Sequence, residues 1–401
     1  KRFLSPLGCV TLFQRQNSLG TVRLRNIIDK WQARHADALL TQAMRETQDA
    51  APPLTLRSVL GYLFAGTFVA TAYLIMGLGV FIIYASFFDW GPAILGLILI
   101  TFGYFLKPAK IKNKDKTYRR EDLPQLFALL DEIAEWVGTE PPKGVHIDRE
   151  CNAYMTEFRR PHEWVLGIGL PFWAALTGPQ KVALLAHELA HKVNNDPLRS
   201  GIYREAQEVL MNWHETFYID EVTSFEMAAG TRAGAPGTQL IGMFLIERLY
   251  GLLMRFVFHE SQRAEYRADA LSVSVAGRDA VIDTLELLTR VEPAYRAVRD
   301  LYPYRSEQNG RIFDHMAKTL ATRDQDTRRR YFQLAAKEKR RVDGSHPPTT
   351  MRIEFVGALS EPDAILVPKT DFALIDDELE PIKHKEGQRL MQELFDAEVN
   401  N

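Results

Sequence analysis

The sequence predicts a mainly α fold of α+β type, with a helical core and a small edge β-sheet, carried on an N-terminal transmembrane helical hairpin. Three observations lead there. The chain runs 31 residues without a charge from Ser58 to Phe88, and a further 17 from Trp90 to Leu106. Downstream, apolar residues recur at helical spacing over long stretches, while only Val145–Ile147 and Trp164–Ile168 read as strands. One of those helices carries His187-Glu188-Leu189-Ala190-His191.

A helix needs roughly 20 apolar residues to cross about 30 Å of hydrocarbon, so the first run spans with tilt to spare and the second sits near the lower limit. The turn is expected at Asp89, Gly91 and Pro92, with Trp90 and Lys107 at the interface. Arg45 and Arg57 precede the hairpin, and Lys107, Lys110, Lys112, Lys114, Lys116, Arg119 and Arg120 follow it, whereas the turn has no basic residue. The positive-inside rule then puts both flanks in the cytoplasm, as a two-span protein of the cell membrane. Lys1–Ala50 shows no apolar core of a secretory leader.

Composition excludes other classes. With 46% hydrophobic and 25% charged residues the chain is not disordered. Lys and Arg number 49 against 51 Asp and Glu, so no global basic surface argues for nucleic acid. Cys9 and Cys151 cannot form a disulfide framework, and Cys151 is expected as a buried structural thiol.

In order along the chain, Asn26–Thr47 has a broken helical stripe, and Asp122–Val137 is a helix through Leu126, Leu129, Leu130, Ile133 and Trp136. Gly138–Gly144 is a turn. Thr177 is the N-cap of the helix carrying the two histidines, with Val182, Leu185, Leu189 and Val193 on one face. Gly230–Gly237 is a loop, and a long helical pattern runs from Leu240 past Asp269. Four segments follow: 1–56 cytosolic, 57–107 the hairpin, 108–360 a largely helical domain, and 361–401 an acidic tail with Asp376, Asp377, Glu378 and Glu380.

Four residues rotate a helix by about 400°, so His187 and His191 project from nearly the same face, one turn apart, as two ligands of a tetrahedral zinc. Glu188 is placed to act as general base and then general acid on a zinc-bound water, and peptide-bond hydrolysis uses one such group for both steps. A third protein ligand is needed. An extended motif with a third His is absent, since Pro197 holds that position. Glu265 and Asp269, at i and i+4 of the long helix, face one way; Glu265 can ligate and Asp269 can accept an imidazole N–H from a ligand histidine.

Three segments, Ala186–Asp196, Ser261–Ala270 and Ser345–Ile353, resemble the membrane-associated gluzincin peptidases that include the CAAX prenyl endopeptidases and the bacterial heat-shock membrane protease HtpX. Asn152, Ala153 and the Trp164–Leu170 segment add weaker support. The resemblance implies a zinc endopeptidase domain over 108–360 with one Zn2+ per chain. It implies Glu265 as third ligand, Asp269 as its helper, and His346, before Pro347 and Pro348, as a stabiliser of the oxyanion. It also implies that Trp164–Gly169, with Trp164, Val165, Leu166 and Gly167, is an edge strand holding a peptide by backbone pairing beside Asn152 and Ala153.

Departures set limits. Heat-shock members carry further spans where this chain has Leu240–Phe258, a run interrupted by Glu247, Arg248 and Arg255; it is read as an amphipathic helix, partly soluble or lying on the membrane. Two spans cannot build the multi-span chamber of the CAAX enzymes, so prenylated substrates are not expected. Partners are protein or peptide substrates and the lipid bilayer, with no nucleic acid. The alternative is a catalytically idle zinc-binding scaffold or adaptor, against which Glu188 argues. His214-Glu215 and His259-Glu260 are not further metal sites, since Tyr218 and Arg263 occupy the partner positions. His35, His146, His162, His315 and His384 have no ligand-spaced partner.

Overall fold

The structure is a computed structural model that describes residues 37–45, 56–87, 89–107, 116–159, 162–194, 201–217, 237–291, 294, 311–322, 324–337 and 346–399. Helix α1 covers 37–45, and the two apolar runs form α2 (Leu56–Ala85) and α3 (Trp90–Leu106). Among the described residues one helix, over Ser58–Ala85, is long and apolar enough to cross a membrane; α3 is shorter, at 17 residues. The turn differs from expectation. It is made at Ser86 and Phe87, the latter at φ 50°, and Gly91 and Pro92 lie inside the first turn of α3. Pro is tolerated there because a first-turn N–H has no helical partner to lose.

The two helices touch through small residues. A Cβ on Gly79 would lie 2.5 Å from the Gly96 carbonyl oxygen, and one on Gly103 would lie 2.7 Å from that of Ala72. Side chains at these points would force the backbones apart, so glycine is what permits the contact. The register, Gly79 with Gly96 and Ala72 with Gly103, places the end of α3 level with Val69 of α2. The first dozen residues of α2 therefore extend beyond its partner.

That overhang belongs to a second core. Ala65 and Phe68 of α2 are buried with Tyr203, Ala206, Val209 and Leu210 of α7 (Gly201–Phe217) and Ile246 and Leu253 of α8 (Gly237–Ala276). Phe64 lies 5.7 Å from Phe256 and Phe68 lies 6.1 Å from Trp213, ring centre to ring centre. The long uncharged run thus supplies domain core at one end and pairs with α3 at the other, which accounts for a length greater than one apolar span needs.

Glu208 of α7 sits against this core. Burial pushes its carboxyl up to about 7 despite Arg204, and Oε2 finds no hydrogen bond among the described residues. A carboxyl raised above the unfolded 4.5 is held neutral by the fold, so its ionisation destabilises the protein as pH rises between 4.5 and about 7. Glu208→Gln should therefore melt higher than the parent at about pH 8 and indistinguishably near pH 4. Equal melting at both would remove the buried carboxyl from the account.

The main core lies among the remaining described elements. A four-stranded sheet has the order β1-β2-β4-β3, from β1 (Thr117–Tyr118), β2 (Gly144–Asp148), β3 (Ala153–Arg159) and β4 (His162–Gly169). β2 and β4 are parallel, and β3 and β4 form an antiparallel hairpin with Met155 opposite Leu166. Around it pack α4 (Pro124–Val137), α5 (Leu170–Ala175), α6 (Gly178–Val193), the C-terminal half of α8, α9 (Arg278–Leu288), α10 (Ile312–Leu320), α11 (Gln325–Lys337) and α12 (Thr349–Gly357). α4 ends where Gly138 takes φ 75°, a left-handed cap open to glycine. Cys151 is buried in this core.

The acidic tail is not the appendage expected. Residues Phe372–Val399 form α13, which buries Ile375, Leu379 and Met391 in the main core. Its acids have structural work: Glu378 accepts the Gln125 and Leu126 N–H groups at the start of α4, at 2.6 and 3.0 Å. Asp376 binds Lys181 Nζ at 2.7 Å and Trp173 Nε1 at 2.9 Å. Negative charge at a helix N-terminus meets orphan donors and the positive end of the dipole.

Candidate metal and catalytic site

α6 starts at Thr177, whose N–H donates to Gln180 Oε1 at 2.9 Å, with Pro179 in the first turn. From Lys181 to His191 every residue of this helix is buried, because α4, α8, α9 and β3 surround it. The two histidines consequently face protein. Ser272 of α8 donates to the Ala183 carbonyl at 2.7 Å, tying the two helices together.

His187 Nε2 and His191 Nε2 are 3.3 Å apart. Glu265, from α8, puts Oε2 3.4 Å from His187 Nε2 and Oε1 3.5 Å from His191 Nε2. A tetrahedral zinc with ligands at roughly 2.0–2.1 Å sets its donors about 3.3–3.4 Å apart, close to the spacing of the two imidazole nitrogens and of each nitrogen from the nearer Glu265 oxygen. Glu188 is buried beside them, and a carboxylate oxygen lies within 4.8 Å of the histidine donors. The donor set, two imidazoles and a carboxylate, suits zinc.

Asp269 lies one turn beyond Glu265 and brings Oδ1 to 3.0 Å from His187 Nδ1. That contact leaves Nε2 as the nitrogen turned to the site. His346 is only half-buried at the entrance, with Nε2 3.4 Å from Glu265 Oε1. Pro347 is buried behind it, and α12 begins three residues on.

Sequence reasoning missed Arg352. This guanidinium from α12 is buried and grips Asp269 with two bonds, Nε to Oδ2 at 2.8 Å and Nη2 to Oδ1 at 2.6 Å. It also lies 3.5 Å from Glu265 Oε2 and 3.3 Å from His187 Nε2. Arginine suits the place because its planar fork matches a carboxylate. The quoted Ser345–Ile353 segment contained it, and its spacing after His346 puts it on the inward face of a helix. No local pattern names Asp269, 83 residues earlier, as its partner.

The charges are strongly coupled. Burial and Arg352 both disfavour the charged form of His187, but its bonds to Asp269 and Glu265 outweigh them and lift the imidazolium to about 9. Burial penalises Glu265, yet His346, His191, His187 and Arg352 hold it well below the usual carboxylate range. Asp269 is likewise disfavoured by burial and held down by Arg352 and His187. The pocket field favours positive charge at the imidazoles, as a cation site requires.

Arg352→Leu should leave Asp269 buried without its bidentate partner and destabilise the fold by about 3–5 kcal/mol, read by thermal or denaturant melting. Arg352→Leu with Asp269→Leu should recover part of that loss. A neutral single variant would show that His187 alone suffices for Asp269.

The expected peptide-holding edge is corrected. β4, with Trp164, Val165, Leu166 and Gly167, lies between β2 and β3, so ladder bonds engage it on both sides. The outer strand is β3, which starts at Ala153 just after Asn152 and contacts α6. Alternation of Tyr154, Thr156 and Phe158 was the signal for it. Tyr154 lies over Gly167, where a Cβ would be 2.3 Å from the ring.

Residues 124–360, more than half of the chain, match peptidase family M48. Among curated proteins, the chain is 26% identical over 178 residues to Protease HtpX of Aeromonas hydrophila, covering 43% of this chain and 61% of that one. It is 31% identical over 170 residues to Protease HtpX of Xylella fastidiosa, covering 40% and 56%, and 24% identical over 245 residues to the Protease HtpX homolog of Gemmatimonas aurantiaca, covering 60% and 77%. The chain thus spans less than two thirds of the length of the first of these relatives. No solved structure matches it.

Proposed function

We propose that this chain, which belongs to peptidase family M48, is a membrane-anchored zinc-dependent endopeptidase that hydrolyses peptide bonds of protein substrates on the cytosolic side. The observation that carries this reading is the donor triangle of His187, His191 and Glu265 with the Glu188 carboxylate beside it. Zinc held by those three residues supplies a Lewis acid for the scissile carbonyl and eases deprotonation of water. Glu188 takes the proton from the attacking water and delivers it to the leaving amine. Asp269, clamped by Arg352, keeps the His187 ring turned. His346, half-buried beside Glu265, donates to the developing oxyanion. β3 offers its outer edge to an extended peptide running past Asn152 and Ala153.

The direct test is zinc content and hydrolysis of an unfolded protein by the full chain in detergent. One zinc per chain with chelator-sensitive cleavage is expected, and a metal-free, chelator-insensitive activity would end the proposal. His346→Ala should retain zinc and KM while lowering kcat by roughly 10²- to 10³-fold. Release of zinc by that variant would make His346 a ligand or a support.

The hairpin of α2 and α3 is proposed as two spans, with 1–56 and everything after Lys107 in the cytoplasm. A tag at the C-terminus should then survive external protease on intact cells and be lost on permeabilised ones. Cleavage on intact cells would invert the topology.

A further inference from the structure

We infer that the N-terminal half of α8 makes a second, side-on contact with the cytoplasmic leaflet, placing Ile241, Phe244 and Leu245 among the acyl chains and Arg248 and Arg255 on anionic lipid phosphates. The inference rests on the reading of α2 and α3 as membrane spans.

Contacts along the two helices fix the level. Trp213 of α7 donates Nε1 to the Leu106 carbonyl at 3.4 Å and packs on Phe68, so residue 213 sits where α3 ends. α7 and α8 run antiparallel: Gln207 meets Met254 at 3.3 Å and His214 meets Glu247 at 3.8 Å. Glu247 is therefore level with the end of α3. α8 residues of lower number continue from that level in the direction of the bilayer, and those of higher number lead to the catalytic site. From Glu247 to Ile241 is about 9 Å at 1.5 Å per residue. That reach stays within the cytoplasmic half of a hydrocarbon core roughly 30 Å thick.

The residues facing outward match those depths. Ile246 and Leu253 point into the shared core, and on the opposite face Ile241, Phe244 and Leu245 are exposed at 60%, 53% and 52%. Arg248 shares that face at the level of the end of α3, with its guanidinium over the Phe244 ring at 4.8 Å, and Arg255 lies two turns further out. Apolar residues inward of the boundary and arginines at and outside it are the order that a leaflet with anionic headgroups takes. Two attachments, the spans and this face, would hold the active site at a fixed height and orientation above the membrane.

Depth can be read directly. In a Cys9→Ser, Cys151→Ala background, single cysteines at Phe244 and the exposed Ser274 of α8 and at Leu95 of α3 take an environment-sensitive fluorophore. The full chain is then reconstituted into phosphatidylcholine vesicles with and without phosphatidylglycerol. We expect blue-shifted emission and severalfold quenching by shallow spin-labelled lipid at Phe244→Cys, deep quenching at Leu95→Cys, and a water-like signal at Ser274→Cys. Phosphatidylglycerol should strengthen the Phe244→Cys quenching, and Arg248→Gln with Arg255→Gln should abolish that lipid dependence. A water-like signal at Phe244→Cys with Leu95→Cys quenched overturns the inference and leaves the spans standing. Water-like signals at both overturn the spans as well. Lipid dependence that survives the arginine changes overturns the headgroup assignment.

Discussion

Glu188→Gln should keep its zinc and its melting temperature yet lose roughly 10²- to 10⁴-fold in hydrolysis, the range that general acid–base catalysis supplies. The substitution is nearly isosteric, and Glu188 is buried in α6 among residues that fill the core, so an amide occupies the same space. What it removes is basicity. An amide cannot take a proton from the attacking water, and it cannot then pass that proton to the amine. The variant also decides between the two functions weighed above. A scaffold that keeps zinc for structure has no use for a carboxylate at this position, so its binding and cellular effects would survive the change. Equal hydrolysis by parent and variant would assign the activity to a contaminating protease or to another base.

How much of this was legible follows from where each signal lies in the chain. The histidine pair and Glu188 fall within five consecutive residues, and helical periodicity alone puts them on one face. Glu265 and Asp269 are one turn apart on a helix that the pattern from Leu240 marks, so their shared face was readable too. Long-range pairings were not. Arg352 meets Asp269 across 83 residues, and Glu378 caps α4 across 253, separations over which one sequence carries no periodic cue.

The sheet and the tail show two other limits. Val145–Ile147 and Trp164–Ile168 were visible as apolar strand runs because both are buried on both faces. The half-exposed β3 alternates with polar residues and passed unread, so the interior strand was taken for the edge. The acids of the tail looked like a solvated run, but their spacing on α13 turns Ile375 and Leu379 inward while Asp376 and Glu378 reach Lys181 and α4. Charge count hides such a pattern, and helical phase reveals it.

Glu265→Ala should release zinc, by about 10²- to 10³-fold in affinity, if one of three protein ligands carries about a third of a binding free energy of ~10–16 kcal/mol and relaxation recovers part of it. Electrostatics deepen the loss. Glu265 stands between the imidazoles and Arg352, whose guanidinium is 3.5 Å from Oε2. Without the carboxylate, the cation would face an arginine 3.3 Å from His187 with Asp269 and Glu188 left to offset it, and Asp269 already shares its charge with that arginine. Asp269→Asn keeps the three ligands and should weaken zinc less, by roughly 10- to 100-fold, because it only loosens the His187 ring. The ordering is the test: competition with a chelator on detergent-purified protein should rank Glu265→Ala below Asp269→Asn and both below the parent. Full zinc in Glu265→Ala would place the third ligand on another residue, and Asp269→Asn weaker than Glu265→Ala would exchange the two roles.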